Sequence, residues 1–248
     1  MKIKFLCAAA AVATAFASTA AFAEDAAPAS DITITGSAAI VSGYKFRGIA
    51  QTDNKPTAQA AITISHKSGF YVSTWASGNT FGGGTEIDVY GGYTKALGST
   101  GITVDGGLYG YLYPNAPINN IYEVYGSLSK AFGPISLKGG VNWAPKQHYF
   151  GGNGYATPVK YSVYKYAEFS VSPPVLPALT VHGHLGHTAG GLDYPVAYLD
   201  YTVGAGYKYK SLTLDLSLVG TDLKRSTVGA DIYRQGKAIP VLSLTAAF

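Results

Sequence analysis

The feature that most constrains this chain is an alternation of apolar and polar residues with a period of two. The clearest example is segment 211–221, SLTLDLSLVGT, in which leucine takes every second position from Leu212 to Leu218. A helix would distribute these leucines around its circumference, whereas a strand places all of them on one face. Segments 101–114 and 120–130 repeat the pattern. The chain is therefore predicted to be an all-β protein.

Segments of this kind, bounded by turn residues, recur about twelve times along the chain. The predicted strands are 31–47, 56–66, 69–77, 85–95, 101–112, 119–130, 134–144, 160–171, 178–187, 196–209, 211–221 and 238–248. No segment of helical period stands out among them. The regular spacing predicts a series of hairpins.

The connections between these segments come in two kinds. Short connections are 66–69, 96–101, 131–134, 172–178 and 209–211. Longer connections, rich in Gly, Asn and Asp, are the segment after Arg47 and residues 78–85, 114–120, 144–159, 188–195 and 222–237. Short and long alternate strictly, which places all tight turns at one end of an up-and-down sheet. Outer-membrane barrels show this asymmetry, with short turns on the periplasmic side.

Period-two alternation alone also permits a soluble sandwich or a lipocalin-like barrel, because both have one apolar and one polar face. The alternating loops, the aromatics near strand ends and the Gly-rich polar face favour a membrane barrel, whose apolar face contacts lipid. Closure removes the strand edges, whose polar groups lipid cannot satisfy. The predicted fold is a transmembrane antiparallel up-and-down β-barrel of about 12 strands.

The two ends of the chain indicate export to the outer membrane. Residues 1–23 begin with Lys2 and Lys4, continue through an Ala-rich apolar stretch and end in Ala-Phe-Ala, which predicts a signal peptide cleaved after Ala23. Residues 24–30 then form a flexible leader, and residues 31–248 form the barrel. The terminal strand 238–248 ends in Phe248, and we expect the outer-membrane assembly machinery to recognise it. The predicted location is the outer membrane of a Gram-negative cell.

Charge and cysteine content exclude several classes of function. Removal of the signal peptide takes away Lys2 and Lys4 and lowers the formal charge from +4 to +2, which is no basis for binding nucleic acid. The single cysteine, Cys7, is also removed, so the mature chain has neither disulfides nor thiol chemistry. Basic residues in loop 222–237 are expected to meet lipopolysaccharide or solvent.

Segment 41–78, VSGYKFRGIAQTDNKPTAQAAITISHKSGFYVSTWASG, resembles the N-terminal signature of the TorF family of proposed outer-membrane porins. The shared motifs are Tyr44–Gly48 with Gln51, then Pro56, then Gly69–Ser77. The resemblance covers most of residues 31–145 and is loose beyond Lys146. It implies an outer-membrane barrel that passes small solutes, and it implies no catalytic residue.

The predicted registers assign side chains to the two faces of the wall. The residues expected to line a pore are Lys45, Arg47, Glu86, Asp88, Asp105, Glu123, Lys138, Glu168, Asp200 and Asp215. So many acids in a narrow lumen are expected to form ion pairs. The aromatics expected at the lipid interface are Tyr44, Phe46, Trp75, Trp143 and Phe248. In the first strand, Tyr44 and Phe46 would face lipid, while Lys45 and Arg47 would face the lumen.

Two histidine-containing segments have residue types that occur in metal or hydrolase sites. His182 and His184 share one strand face but His187 points to the other, so only two metal ligands would converge and no metal site is predicted. His66 and Ser68 resemble part of a lipase site, but they lie at a predicted periplasmic turn. We therefore expect neither a cofactor nor enzymatic activity.

These observations predict a porin-like channel for passive diffusion of small hydrophilic solutes or ions, selected by lumen width and charge. One alternative is a structural or adhesive barrel with a blocked lumen. A less favoured alternative is a barrel-type lipid hydrolase, which would need a Ser/His pair near the outer leaflet.

Overall fold

The computed structural model describes residues 30–80, 83–151, 161–193 and 196–248. The predicted signal peptide and nearly all of the predicted leader lie outside the described residues.

Strands account for most of the described chain. Their bounds are β1 Ile32–Val41, β2 Lys45–Phe46, β3 Ile49–Ala50, β4 Thr57–His66, β5 Phe70–Gly78, β6 Thr85–Ala96, β7 Ile102–Leu112, β8 Ile121–Phe132, β9 Ile135–Pro145, β10 Tyr161–Val171, β11 Leu179–Gly190, β12 Tyr198–Tyr209, β13 Leu212–Thr221 and β14 Ile239–Ala247. Twelve of them, all except β2 and β3, form one closed antiparallel barrel in which neighbours in sequence are neighbours in space. The predicted fold class is confirmed.

The alternation in sequence becomes two distinct faces of the barrel wall. In β13, Leu214 and Leu216 point outward and are 52% and 56% exposed, whereas Ser217 points inward and is buried. Rows of exposed leucine, isoleucine and valine would be unstable in water, but they match the hydrocarbon of a bilayer. Closure of the barrel gives each strand a hydrogen-bonded neighbour on both sides, as lipid requires.

The two kinds of connection lie at opposite ends of the barrel, as the sequence predicts. The short-turn end holds the turns that follow β4, β6, β8, β10 and β12, and it also holds both ends of the described chain. The long-loop end holds the connections that follow β1, β5, β7, β9, β11 and β13. This arrangement follows from the alternation of short and long connections along an up-and-down sheet.

The first strand differs from its prediction, because it ends at Val41 instead of continuing to Arg47. The chain then leaves the wall and folds inward as a two-stranded hairpin of β2 and β3. Arg47 and Gly48 form its two-residue turn, with φ of 47° and 78°, the signs required by a type I′ turn. Residues 43–52 are called the inserted hairpin below.

One helix, α1 (Arg225–Gly236), lies in the long loop between β13 and β14 and is kinked at Gly229. Val228 and Ile232 of this helix pack against a small cluster that includes Ile49 of the inserted hairpin. Short 3-10 helices occur at Gly98–Thr100, Pro117–Asn119 and His148–Gly151. Within the described ranges, every helix is too short or too polar to cross a membrane.

The barrel closes where β14 meets β1. Their register covers Ser37–Val41 of β1, whereas β4 pairs with the same strand along Ile32–Val41. Backbone hydrogen bonds between Gly36 and Phe248 extend the seam by one position. The Phe248 ring covers Gly36 on the outer face, where a Cβ atom on Gly36 would approach the ring to 2.5 Å.

The outer face gives a direct test of membrane exposure. Replacing Leu216, near the middle of β13, with lysine should destabilise the barrel in a bilayer by about 2–4 kcal/mol, because a charge would face hydrocarbon. Thr213→Lys, on the inner face of the same strand, is the matched control and should cost much less. Denaturant titration of both variants in lipid vesicles measures the difference, and equal losses would contradict the assignment of the two faces.

Candidate functional site

The inserted hairpin reaches across the whole barrel. It leaves the wall at β1, and the strand opposite β1 in the barrel is β9, six positions away in either direction. The Arg47 side chain ends between Glu123 on β8 and Tyr164 on β10, the two neighbours of β9. The lumen is therefore bridged from one side to the other.

Arg47 is held by charge, hydrogen bonds and aromatic contact together. Its Nη2 atom lies 2.7 Å from both carboxylate oxygens of Glu123, and both side chains are almost fully buried. The guanidinium carbon lies 4.2 Å from the centre of the Tyr164 ring and 4.7 Å from that of Phe46. Burial alone lowers the pKa of Arg47, but the Glu123 carboxylate outweighs it and raises the pKa above its ordinary value. Arg47 is therefore a permanent cation inside the lumen.

Glu123 also has partners on the wall itself. Its Oε2 atom accepts hydrogen bonds from the Tyr111 hydroxyl at 3.1 Å and from Asn142 Nδ2 at 2.8 Å. These donors come from β7 and β9, on either side of β8. The carboxylate is thus fixed by the wall and does not depend on Arg47 for its orientation.

Lys45 ties the hairpin to the helix at the long-loop end. Its Nζ atom donates hydrogen bonds to the carbonyl oxygens of Lys237 at 2.8 Å, Gln235 at 3.0 Å and Gly48 at 3.3 Å. Gln235 belongs to the last turn of α1, where carbonyl groups carry the negative end of the helix dipole. Burial lowers the pKa of Lys45 to about 8. The hairpin is therefore anchored at its base as well as at its tip.

Three aromatics predicted at the lipid interface lie inside the barrel, so that assignment was wrong for Tyr44, Phe46 and Trp75. The Tyr44 hydroxyl donates to Glu86 at 3.0 Å, and its ring contacts Trp75 edge-on with ring centres 5.2 Å apart. Phe46 packs in the same way on Tyr111. Two of the three misplacements arise because the chain leaves the wall after Val41, where the alternation of the strand no longer applies. Trp75 shares the inner face with Ser73 and Ser77.

The other two predicted interface aromatics do face outward. Trp143 is 45% exposed and pairs across the sheet with Val124 and Val163, which are outward-facing positions. Phe248 is 75% exposed and lies on Gly36. These positions are compatible with the lipid–water boundary, which aromatic residues favour in membrane barrels.

All the predicted pore-lining residues of the strands project into the lumen, and most of the carboxylates there accept a tyrosine hydroxyl. The donor–acceptor pairs are Tyr44–Glu86 at 3.0 Å, Tyr109–Asp88 at 2.7 Å, Tyr71–Asp105 at 2.9 Å, Tyr111–Glu123 at 3.1 Å and Tyr164–Asp200 at 3.1 Å. Tyrosine supplies a donor without adding a charge, which allows many carboxylates to lie in a confined space. This pairing accounts for part of the high tyrosine content, 20 residues in the chain.

Histidines satisfy the remaining carboxylates. His182 Nε2 lies 2.7 Å from Asp215, while His184 lies 3.2 Å from Glu168 and 3.1 Å from Asp200. His187 is on the outer face, as the register predicts. Among the described residues, no group of three or more His, Cys, Asp or Glu side chains is arranged to hold a metal ion.

The wall of the lumen is acidic, and the hairpin partly neutralises it. The inward-facing acids on the strands are Glu86, Asp88, Asp105, Glu123, Glu168, Asp200 and Asp215, and the inward-facing strand lysines are Lys138 and Lys208. Lys45 and Arg47, which the sequence predicts at the lumen, are there because the hairpin brings them in. The two cations are therefore carried by a segment inside the lumen, whereas the acids are part of the barrel wall.

The sequence prediction missed the tyrosines and Asn142 as parts of the site. Their positions along the strands could have indicated that they face the lumen, because Tyr109 and Tyr111 share a face with Asp105, and Tyr164 shares one with Glu168. Aromatic residues near strand ends are usually interpreted as lipid-facing, and this expectation concealed the inward set.

The family model described as a bacterial protein of unknown function, Gcw_chp, matches residues 25–248. The chain belongs to this family. No curated protein sequence matches the chain. The sequence resemblance to the TorF family remains an interpretation beside this family assignment.

Solved structures with a similar fold are outer-membrane porins and channels. The NanC porin has a TM-score of 0.57 at 13% identity, and the match covers 87% of this chain and 99% of that one. The KdgM porin has a TM-score of 0.54 at 11% identity, with coverage of 87% and 98%. An outer-membrane channel from Pseudomonas putida F1 has a TM-score of 0.50 at 11% identity, with coverage of 86% and 94%. The Gcw_chp chain therefore has a porin-like fold.

Gly48 should be required for the hairpin to insert. A Cβ atom there would lie 2.6 Å from Thr221 Cγ2 and 2.7 Å from the Gly220 carbonyl oxygen, and the backbone has positive φ. Gly48→Ala should expose the hairpin and increase chymotrypsin cleavage after Phe46 about fivefold or more, the effect of a shift of about 1 kcal/mol. The assay uses barrels in lipid vesicles with the long-loop end outside.

Gly133→Ala is the matched control for this experiment. Gly133 also has positive φ, in the short turn after β8, but a Cβ atom there would meet nothing within 4 Å. This variant carries similar backbone strain without steric contact, so cleavage after Phe46 should stay at the wild-type rate. If both variants behaved alike, the close packing of the hairpin tip would be refuted.

Proposed function

We propose that this protein is an outer-membrane channel for the passive diffusion of small hydrophilic solutes, and that the inserted hairpin gates it. The observation that carries the proposal is a closed barrel with an apolar outer face around a lumen lined by charged and hydroxyl side chains. A barrel that served only as a support could fill its interior with apolar side chains. The porin-like fold of the neighbours supports the same conclusion.

The hairpin makes the described state a narrowed or closed one. It is attached to the wall only at its base, and it is held by polar contacts at Arg47, Lys45 and Tyr44 and by the apolar packing of Ile49 and Phe46. Because these contacts lie in one short segment, they can be released together without disturbing the hydrogen bonds of the wall. Withdrawal of the hairpin would open the long-loop half of the lumen.

A barrel with a permanently blocked lumen is the second candidate, and the nearly complete burial of the Arg47–Glu123 pair favours it. Such a barrel would have a structural or adhesive role. The two candidates differ in whether the hairpin leaves the lumen on a functional timescale, which conductance measures directly.

The charge of the wall bears on which solutes pass. The KdgM porin has been solved in complex with oligogalacturonate, a chain of acidic sugars. The lumen here presents an excess of fixed carboxylates, which repel polyanions. A preference for neutral or cationic solutes is therefore proposed for this chain.

His66 and Ser68 are hydrogen-bonded at 2.7 Å on an exposed turn at the short-turn end, the predicted periplasmic side. This location supports a channel without hydrolase activity. Lipid and lipopolysaccharide around the apolar wall, and the assembly machinery at strand 238–248, are the proposed partners.

Arg47→Ala should increase the single-channel conductance in planar bilayers and shift the reversal potential toward cation preference. The reason is that it removes both a contact that holds the hairpin and a positive charge from an acidic lumen. The loss of one partner of a buried ion pair is worth about 3 kcal/mol or more, which would strongly favour the open state. Current recordings under a salt gradient measure both quantities.

Two further variants make this test specific. Arg234→Ala removes an exposed arginine of α1 and should leave the conductance at the wild-type value. Glu123→Gln also weakens the hold on the hairpin but removes a negative charge, so its cation preference should be lower than that of Arg47→Ala. If neither the wild type nor Arg47→Ala showed single-channel current steps, the channel proposal would be refuted in favour of the blocked barrel.

A further inference from the structure

The residues that surround the Arg47 guanidinium form a cation site that belongs to the barrel wall. Four residues project from four consecutive strands, β7 to β10: Glu123 and Tyr164 contact the Arg47 guanidinium, while Tyr111 and Asn142 hydrogen-bond the Glu123 carboxylate. A carboxylate beside an aromatic face is a common arrangement for binding organic cations. The wall supplies every one of these groups, so the site would persist after the hairpin withdrew.

Arg47 uses this site incompletely. Its Nη2 atom serves both oxygens of Glu123, while its Nη1 atom is buried and has no hydrogen-bond partner among the described residues. A guanidinium free to rotate could pair with both oxygens in parallel through two nitrogens, which is the stronger geometry. The inserted hairpin that carries Arg47 therefore prevents its guanidinium from adopting this stronger geometry.

Beside the hairpin tip lies a second carboxylate, of which one oxygen is paired with Tyr164 and His184 and the other is not. Asp200 of β12 is 2% exposed, and within the described chain its Oδ2 atom accepts no hydrogen bond. A Cβ atom built on Gly48 would lie 2.9 Å from the Asp200 Cβ atom, so Asp200 lies beside the turn that carries Arg47, with its Oδ2 atom above Gly186 of the neighbouring strand. A buried carboxylate oxygen without a donor is costly, and a donor from a bound solute would satisfy it.

We propose that the wall site of Glu123, Tyr111, Asn142, Tyr164 and Asp200 binds solutes that carry a guanidinium or ammonium group, with Arg47 as a tethered competitor. This proposal rests on the channel function proposed above and specifies its substrate class. A cationic solute that enters the lumen displaces Arg47 from Glu123, and the hairpin is then free to withdraw. The solute thereby opens its own path.

Competition sets the concentration at which this occurs. A tethered group acts at an effective concentration on the order of millimolar. A single cationic group that binds no better than Arg47 therefore needs similar concentrations to displace it. A solute that also engages Asp200 would displace it at lower concentration, so the site favours cations with more than one donor group.

The first experiment uses ethylguanidinium as the probe and N-ethylurea, of the same shape but neutral, as the control. In wild-type barrels, ethylguanidinium should increase chymotrypsin cleavage after Phe46 in a saturable manner, while N-ethylurea should not. In Arg47→Ala, ethylguanidinium should interrupt the current in a planar bilayer. Adding Glu123→Gln to that variant should weaken the interruption about tenfold or more, because a charged hydrogen bond is lost.

The outcomes separate the two proposals. If Arg47→Ala conducts potassium chloride but responds equally to ethylguanidinium and N-ethylurea, the cation site is overturned and the channel stands. If it does not conduct, the channel proposal fails. Calorimetric titration of ethylguanidinium into the detergent-solubilised wild type and Arg47→Ala then tests whether the cation site exists. Should Arg47→Ala fail to fold, judged by heat-dependent gel mobility, Arg47→Met replaces it, and equal affinity for probe and control would refute the site.

Discussion

The ion pair between Arg47 and Glu123 organises the interior of this barrel, because it joins two opposite sides of the wall through a segment that is not part of it. Removing either partner would leave a buried charge without compensation, which is among the larger single losses a protein can sustain. The same hairpin also brings Tyr44 to Glu86 and Lys45 to the end of α1. The long-loop half of the lumen is therefore one connected polar network centred on a single contact.

Tyrosine makes this network possible. Acids that lie close together in a confined space repel one another, and compensating each with a lysine or arginine would fill the lumen with long cationic side chains. Tyrosine hydroxyls donate to the carboxylates from rigid rings that also stack, as Tyr90 and Tyr109 do with nearly parallel planes. The result is a wall that keeps a negative charge excess and still satisfies most of its polar atoms.

The sequence predicted the barrel well because its main determinant is local. Alternation along each strand and alternation of loop lengths repeat many times, so an error in one segment does not change the conclusion. Strand bounds such as β7 and β13 agree with prediction to within one residue. The inserted hairpin was not predicted, because its insertion depends on contacts with residues as distant as Glu123 and Tyr164. Its local signal, a Gly following Arg47 between two pairs of strand-forming residues, is too short to indicate on which side of the wall the segment lies.

The place where the hairpin attaches has a consequence for assembly. β1 carries the hairpin on one of its ends and forms the closing seam with β14 along its free edge. The strands that hold Arg47, β8 and β10, are made before β14 in the order of synthesis. Once β14 has paired with β1, the interior is accessible only through its two openings. The order of events therefore matters: a hairpin that docks first would hold β1 near its final position and shorten the search of β14 for its partner, so the same arginine would speed the last step of folding.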